Sequence, residues 1–321
     1  MNKTVILTHS DCDGICAGAI ALSRFHRAEI FFTKPVSFCD DLKAQEADRI
    51  IITDIAIPRI DVSKAVKLLE NKSRECEILY FDHHFLPDKA RLILTKSLKV
   101  YVNEEASASE LIYKHFQNEI PRERVWIAIY GAIGDYSQNT EFVEERIKNW
   151  DARALYFEAS TLVLGIKDDK FERYDSKRMI ARTLAEGNNP SDVPGLVKMA
   201  KKVVNDEFDL YEIVKKQAKS VGDVGFVKDI SFFGFRGPSA LFAATVTKAR
   251  IGLAIHTREN YLDITMRSRD YSIPLNHLAE DAAEAMGGSG GGHPQAAGAR
   301  IPLNRFNDFV KEINRILKRQ G

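Results

Sequence analysis

Apolar residues in the first hundred positions gather into short continuous runs instead of alternating with polar ones. "TVILT" (4–8), "EIFFT" (29–33), "RIIITDI" (49–55), "EILYFDHH" (77–84) and "LKVYV" (98–102) are such runs. Between them lie stretches with helical spacing: the small-residue segment "GICAGAIALSRF" (14–25), "VSKAVKLLE" (62–70) and, after the last run, "SELIYKHF" (109–116). Continuous apolar strands alternating with helices predict a parallel sheet covered on both faces.

From 122 to 187 the spacing is mostly helical, until "EGNNPSDVPG" (186–195) breaks it with Asn, Pro and Gly. A Lys-rich helix follows over about 196–220. Beyond it a smaller α/β unit has strands near "VGFVKDI", "IGLAIH" and "LDITMR", and helices near "SALFAATVT", "LNHLAEDAAEAM" and "NDFVKEINRILK". The expected organisation is an N-terminal domain over 1–187, a helix-bearing linker over 188–222 and a C-terminal domain over 223–321. "GGSGGGH" (287–293) is the one low-complexity segment, and no solenoid repeat is present.

Composition bounds the function classes. The chain has 321 residues, 45% of them hydrophobic, ample for two buried cores. Lys+Arg 46 less Asp+Glu 45 gives +1, so no global field selects nucleic acid or membrane, and any affinity for polyanions is local. Cys12, Cys16, Cys39 and Cys76 lack paired zinc spacing and read as free thiols of a reducing cytosol. No segment approaches membrane-spanning length, so the expected protein is soluble and cytoplasmic.

The chemistry-bearing residues sit at the strand ends. "THSDCDG" places His9, Asp11 and Asp13 at alternate positions after the first apolar run, where an extended chain points them the same way. Asp54 closes the third run; Asp82, His83 and His84 close the fourth. Asp135, in "YGAIGDYSQN", follows an apolar helix. In open parallel sheets these ends line the ligand crevice. Taken singly, Asp54 fits a helix cap, His83 a core histidine and Asp135 a loop residue. Together they crowd like charges that a cation must separate. Carboxylates with imidazoles and no thiolate suit Mn²⁺, Mg²⁺ or Fe²⁺, and six or so ligands suit two ions about 3.5–4 Å apart.

In this order, "HSDCDG", "TDIA", "YFDHHF" and "GAIGDYSQN" resemble the four motifs of the DHH phosphoesterase superfamily. "GGSGGGHPQAAG" resembles the glycine-rich motif of its DHH-associated C-terminal domain. The resemblance implies an N-terminal doubly wound parallel sheet, a smaller C-terminal α/β domain and an active site in the cleft between them. It implies one ion on His9, Asp11 and Asp54, and a second on Asp13, Asp54, His83 and Asp135, with Asp54 bridging. Asp82 would fix the tautomer of His83, and His84 would face the substrate phosphate. Arg267, the backbone of Gly290, Gly291 and Gly292, and His293 would hold the far end of the substrate.

Within the family, His9 stands where RecJ-like exonucleases usually carry Asp and where nanoRNases, cyclic-dinucleotide phosphodiesterases and family II pyrophosphatases carry His. Ser289 interrupts the glycine run. The expected function is a Mn²⁺-dependent phosphodiesterase cutting short single-stranded RNA or DNA to mononucleotides. Rivals are a RecJ-like exonuclease on longer strands, a 3′-phosphoadenosine 5′-phosphate phosphatase, a cyclic-dinucleotide phosphodiesterase and a catalytically dead scaffold that only binds partners. Partners besides the nucleic acid would be a replication or repair factor, or a second copy of the chain.

Overall fold

The computed structural model describes residues 3–57, 62–230, 234–270 and 272–320, the side chains of residues 169, 170, 293 and 320 excepted. The chain divides into two compact units, Met1–Val203 and Val204–Gly321.

The first unit carries five strands: β1 (Thr4–Thr8), β2 (Glu29–Phe32), β3 (Arg49–Thr53), β4 (Glu77–Asp82) and β5 (Lys99–Val102). All neighbours are parallel, in the order β2-β1-β3-β4-β5, with Thr8 opposite Thr53 in register. Its helices are α1 (Cys12–Arg24), α2 (Phe38–Lys43), α3 (Val62–Lys72), α4 (Asp88–Ser97), α5 (Ala108–Phe116), α6 (Val125–Gly134), α7 (Glu141–Lys148), α8 (Ala152–Gly165), α9 (Asp169–Glu172) and α10 (Tyr174–Ala185). α11 (Leu196–Gln217) runs across the division.

Both sheet faces are buried, which explains the continuous apolar runs. Val5, Leu7, Ile50, Ile52, Ile78 and Tyr80 pack with α2, α3 and α4. Ile6, Ile51, Leu79 and Phe81 point the other way, onto α1, α5 and α6. This is the doubly wound arrangement expected from the pattern. Strand order reverses between β1 and β3, so the segments leaving those two strands diverge and open a crevice at their carboxyl ends.

The second unit is a mixed sheet of β6 (Lys219–Val221), β7 (Val224–Lys228), β8 (Ile251–Thr257), β9 (Tyr261–Ser268), β10 (Ser289–His293) and β11 (Ala296–Pro302). Their order is β10-β11-β9-β8-β7-β6, and only β7 and β8 run parallel. It is packed by α12 (Arg236–Thr247), α13 (Leu275–Glu284) and α14 (Phe306–Gln320). The glycine-rich stretch is the terminal strand β10, hydrogen-bonded to β11 with Gly291 opposite Gly298. A Cβ on Gly290 would stand 2.1 Å from the Ala279 carbonyl oxygen, so its bare backbone lets α13 lie against the strand. No helix among the described residues is long and apolar enough to cross a membrane.

Candidate metal centre

Four segments at the carboxyl end of the parallel sheet bring the acidic and histidine residues together. His9 and Asp11 fill the turn from β1 into α1, where Asp11 caps the helix by accepting the Gly14 N–H at 3.0 Å. Thr53 Oγ1 donates to Thr8 Oγ1 at 2.7 Å, and Thr8 Oγ1 donates to the Gly14 carbonyl at 2.6 Å. These bonds tie the ends of β1 and β3 to the start of α1.

Asp54 follows β3 with φ +55°, a left-handed conformation uncommon for a residue bearing a Cβ. Its N–H is held by the Phe81 carbonyl at 2.9 Å, which keeps the chain turned. The buried carboxylate stands between two imidazoles: Oδ1 is 3.2 Å from His83 Nε2, and Oδ2 is 3.6 Å from His9 Nδ1. Oδ2 is buried and has no hydrogen-bond donor among the described residues.

Asp13, in the first turn of α1, reaches across to the amino end of α5. Its carboxylate accepts the N–H groups of Ala108 and Ser109 at 2.7 and 3.0 Å. A helix amino terminus is a natural seat for a carboxylate. Asp135, the residue capping the end of α6, lies 3.3 Å from His83 Nδ1 through its Oδ2, which also accepts from Ser137 at 2.8 Å. Three groups therefore have ligand atoms within 4.8 Å of one another: His9, Asp11 and Asp54; Asp13, His83 and Asp135; and Asp54, Asp82, His83 and His84.

Charge crowding shows in the proton affinities. Burial and the Asp11 charge push Asp54 up to about 7. Burial and the Asp13 charge push Asp135 up to about 6. Burial alone would lower both histidines, but the carboxylates prevail. The Asp11 contact and the charges of Asp11 and Asp54 raise His9 to about 11, while Asp54, Asp13 and Asp135 raise His83 to about 10. Asp11 goes the other way: burial would raise it, and the His9 bond and charge hold it below the ordinary carboxylate range. The donor set fits divalent cations on two counts. It is all oxygen and imidazole nitrogen, and its central carboxylate presents a buried oxygen that no donor among the described residues satisfies.

Asp82 differs from the expectation. Its Oδ1 lies 2.8 Å from His84 Nδ1, and its Oδ2 accepts the Tyr80 hydroxyl at 2.8 Å. The carboxylate thus orients His84 instead of His83, because residues two apart on an extended chain share a side. Burial would lower the His84 pKa, yet the Asp82 bond and charge raise it.

The C-terminal candidates lie in the second unit, where Ala296 of β11 stands opposite both Arg267 of β9 and His293 of β10. Arg267, on β9, donates from Nη1 to the Met266 carbonyl at 2.9 Å and lines a recess of about 720 Å³ with Arg236, Arg258 and His256. Gly290 lines a different recess of about 420 Å³, with Arg236, Asp263 and Arg300. Gly291 and Gly292 lie further along β10, and the side chain of His293 is outside the described residues.

Sequence reading missed three contributors. One is the α5 amino terminus beneath Asp13. The second is buried Glu110, which accepts from Thr140 Oγ1 at 2.7 Å and so anchors the segment after Asp135. The third is buried Lys177 of α10, whose Nζ donates to the Ser10 carbonyl at 2.8 Å. The only signal for them was a capping Ser three residues before Glu110.

Residues 3–134 match the DHH family N-terminal domain, and residues 240–319 match the DHHA1 domain. The chain carries a DHH domain and a DHHA1 domain. Members of the family are hydrolases of phosphoester bonds. An uncharacterised protein of Methanocaldococcus jannaschii is 24% identical to this DHH protein over 259 residues, 78% of this chain and 68% of the relative. RecJ from Thermus thermophilus, solved with Mn²⁺, superposes with a TM-score of 0.68 at 16% identity, covering 99% of this chain and 52% of RecJ. PggH of Vibrio cholerae, a pGpG-specific phosphodiesterase, superposes with a TM-score of 0.63 at 16% identity, covering 99% of this chain and all of PggH. At these identities the solved structures establish the fold that the DHH and DHHA1 domains adopt here.

Proposed function

We propose that this DHH phosphoesterase is a two-metal phosphodiesterase that shortens brief single-stranded oligonucleotides to mononucleotides. The observation that carries the reading is Asp54, one carboxylate between His9 and His83 with a buried oxygen that has no donor among the described residues. In this reading His9, Asp11 and Asp54 hold one ion, and Asp13, Asp54, His83 and Asp135 hold the other. Mn²⁺ is the preferred ion and Mg²⁺ the second. Ions bound there supply acidified water and neutralise developing phosphoryl charge.

The protein's own groups do the rest. The α5 N–H donors fix Asp13, and Ser137 fixes Asp135, so both carboxylates are preorganised. Asp82 holds Nδ1 of His84 and so orients the ring, whose protonated form would donate to the departing oxygen. A short substrate is supported by PggH, named for a dinucleotide and equal in extent to this chain.

Hydrolysis of end-labelled RNA and DNA ladders from dinucleotides to about thirty-mers tests the reading, since single-strand channels cover roughly 4–16 nucleotides per module. Cleavage confined to the shortest strands in Mn²⁺ or Mg²⁺, and lost in the Asp82→Ala, His83→Ala double variant, is the expected result. Processive shortening of long strands would make the protein a RecJ-like exonuclease. Silence on every ladder, with turnover of 3′-phosphoadenosine 5′-phosphate or a cyclic dinucleotide, would replace the oligonucleotide by a small phosphoester.

A further inference from the structure

Tyr136 directly follows Asp135 and is 83% exposed, with a left-handed backbone of φ +59°. The turn that holds it closes α6. The Tyr136 N–H donates to the Ile133 carbonyl at 3.3 Å, and the Ser137 N–H donates to the Ala132 carbonyl at 2.9 Å. Helix ends bonded in this way usually carry glycine at the left-handed position, because a Cβ there crowds the neighbouring carbonyl. A tyrosine is therefore disfavoured twice, by its backbone and by the apolar ring it leaves in water. Neither its ring nor its hydroxyl has a hydrogen bond or ring contact among the described residues.

The segment that displays this ring is braced. Ser137 Oγ donates to Asp135 Oδ2 at 2.8 Å, the Tyr156 hydroxyl of α8 donates to Gln138 Oε1 at 3.3 Å, and Thr140 Oγ1 donates to buried Glu110 at 2.7 Å. Asp135 in turn stands 3.3 Å from His83 Nδ1. The ring thus rises from a fixed backbone, one residue from the cluster.

We propose that Tyr136 is a platform on which the base of the nucleotide at the metal centre stacks. A nucleotide with its phosphate at the cluster carries its base one sugar away, within reach of the residue after Asp135. A tyrosine ring offers wide stacking area with only two side-chain torsions to fix. Every base has a face to offer it, so the platform requires a base without reading which one. The inference deepens the phosphodiesterase reading and rests on it for the nucleotide.

The test is kcat/KM on a dinucleotide and on its two abasic counterparts, one lacking the first base and one the second. The wild-type protein should lose roughly tenfold to a hundredfold on one of the two, the worth of one base–aromatic stack. In Tyr136→Gly that loss should shrink to within about threefold, whereas Tyr136→Phe and Tyr136→Trp should keep it. Glycine suits the turn, so Tyr136→Gly should unfold at a temperature no lower than wild type, which separates lost stacking from lost structure. A wild-type protein indifferent to both bases, or a glycine variant as discriminating as wild type, overturns the proposal. So does an equal loss by that variant on all three substrates.

Fluorescence of the full-length Tyr136→Trp variant in Mg²⁺ reads the platform without turnover. Adenosine 5′-monophosphate should change the emission beyond any change in wild type, and ribose 5-phosphate should not. That result in a protein that cleaves no oligonucleotide upholds the platform and sinks the phosphodiesterase. Cleavage of oligonucleotides with unaltered emission keeps the phosphodiesterase and rejects the platform.

Discussion

Asp82 and His84 face each other across 2.8 Å at the end of β4, so this half-buried histidine is oriented by its own strand. Replacing Asp82 by Asn keeps the shape and removes the charge that raises the His84 pKa. The expected result is a loss in kcat of about tenfold to a hundredfold, with the limb of the pH profile that requires protonated His84 moving to lower pH. A variant with an unchanged profile would remove His84 from the proton-transfer role.

Stability of the metal-free protein should fall as pH rises. His9 and His83, raised to about 11 and 10, contribute stability that is complete below their ordinary pKa of 6.5. That contribution drains away as pH climbs through 10 and 11. Asp54, raised from 3.8 to about 7, runs in the same direction in a lower window, because the folded state holds its proton more tightly. Thermal unfolding in EDTA should therefore give a Tm that declines from pH 6.5 to 9.5. Mn²⁺ at about 100 times its dissociation constant should add about 2.7 kcal/mol and oppose the decline, since its ligands must be deprotonated. A flat metal-free profile, or no stabilisation by the ion, contradicts the arrangement.

Gly131 lies in α6 where that helix crosses Asp13 and α5. A Cβ there would stand 2.2 Å from Ser109 Oγ and 2.8 Å from Asp13 Oδ1. Gly131→Ala should destabilise the protein by about 1–3 kcal/mol through overpacking. Because the displaced atoms include Asp13, divalent-ion affinity measured by calorimetry should fall as well. Loss of stability with undiminished affinity would show that Asp13 does not serve the ion.

The glycines of β10 give a contrasting case. Gly290→Ala pushes a Cβ against the Ala279 carbonyl and should cost about 1–3 kcal/mol in chemical denaturation, with or without ligand. An alanine variant of full stability but impaired substrate binding would restore the backbone-cradle view of this stretch.

The parallel sheet was legible because burial on both faces leaves unbroken apolar runs, and the strand-end placement of Asp11, Asp54 and His83 follows from that sheet. β10 and β11 were not: SGGGH and AAGARIP hold a single β-branched residue, Ile301, too few to signal pairing, and β10 forms through tertiary contact with α13. Nor does any spacing link Lys177 to Ser10, 167 positions away. The left turn at Asp54 is equally silent in sequence, since no glycine marks it and the surrounding bonds hold it in place.

All five strands of the parallel sheet are complete by Val102, yet the donors that seat Asp13 arrive at Ala108 and Ser109, and Asp135 comes later still. As the chain emerges from the ribosome, the scaffold can pair well before the cluster is whole. The cluster can therefore be complete only once Asp135 has emerged, and a truncated product ending before it would carry most of the sheet's apolar core without the full set of charges.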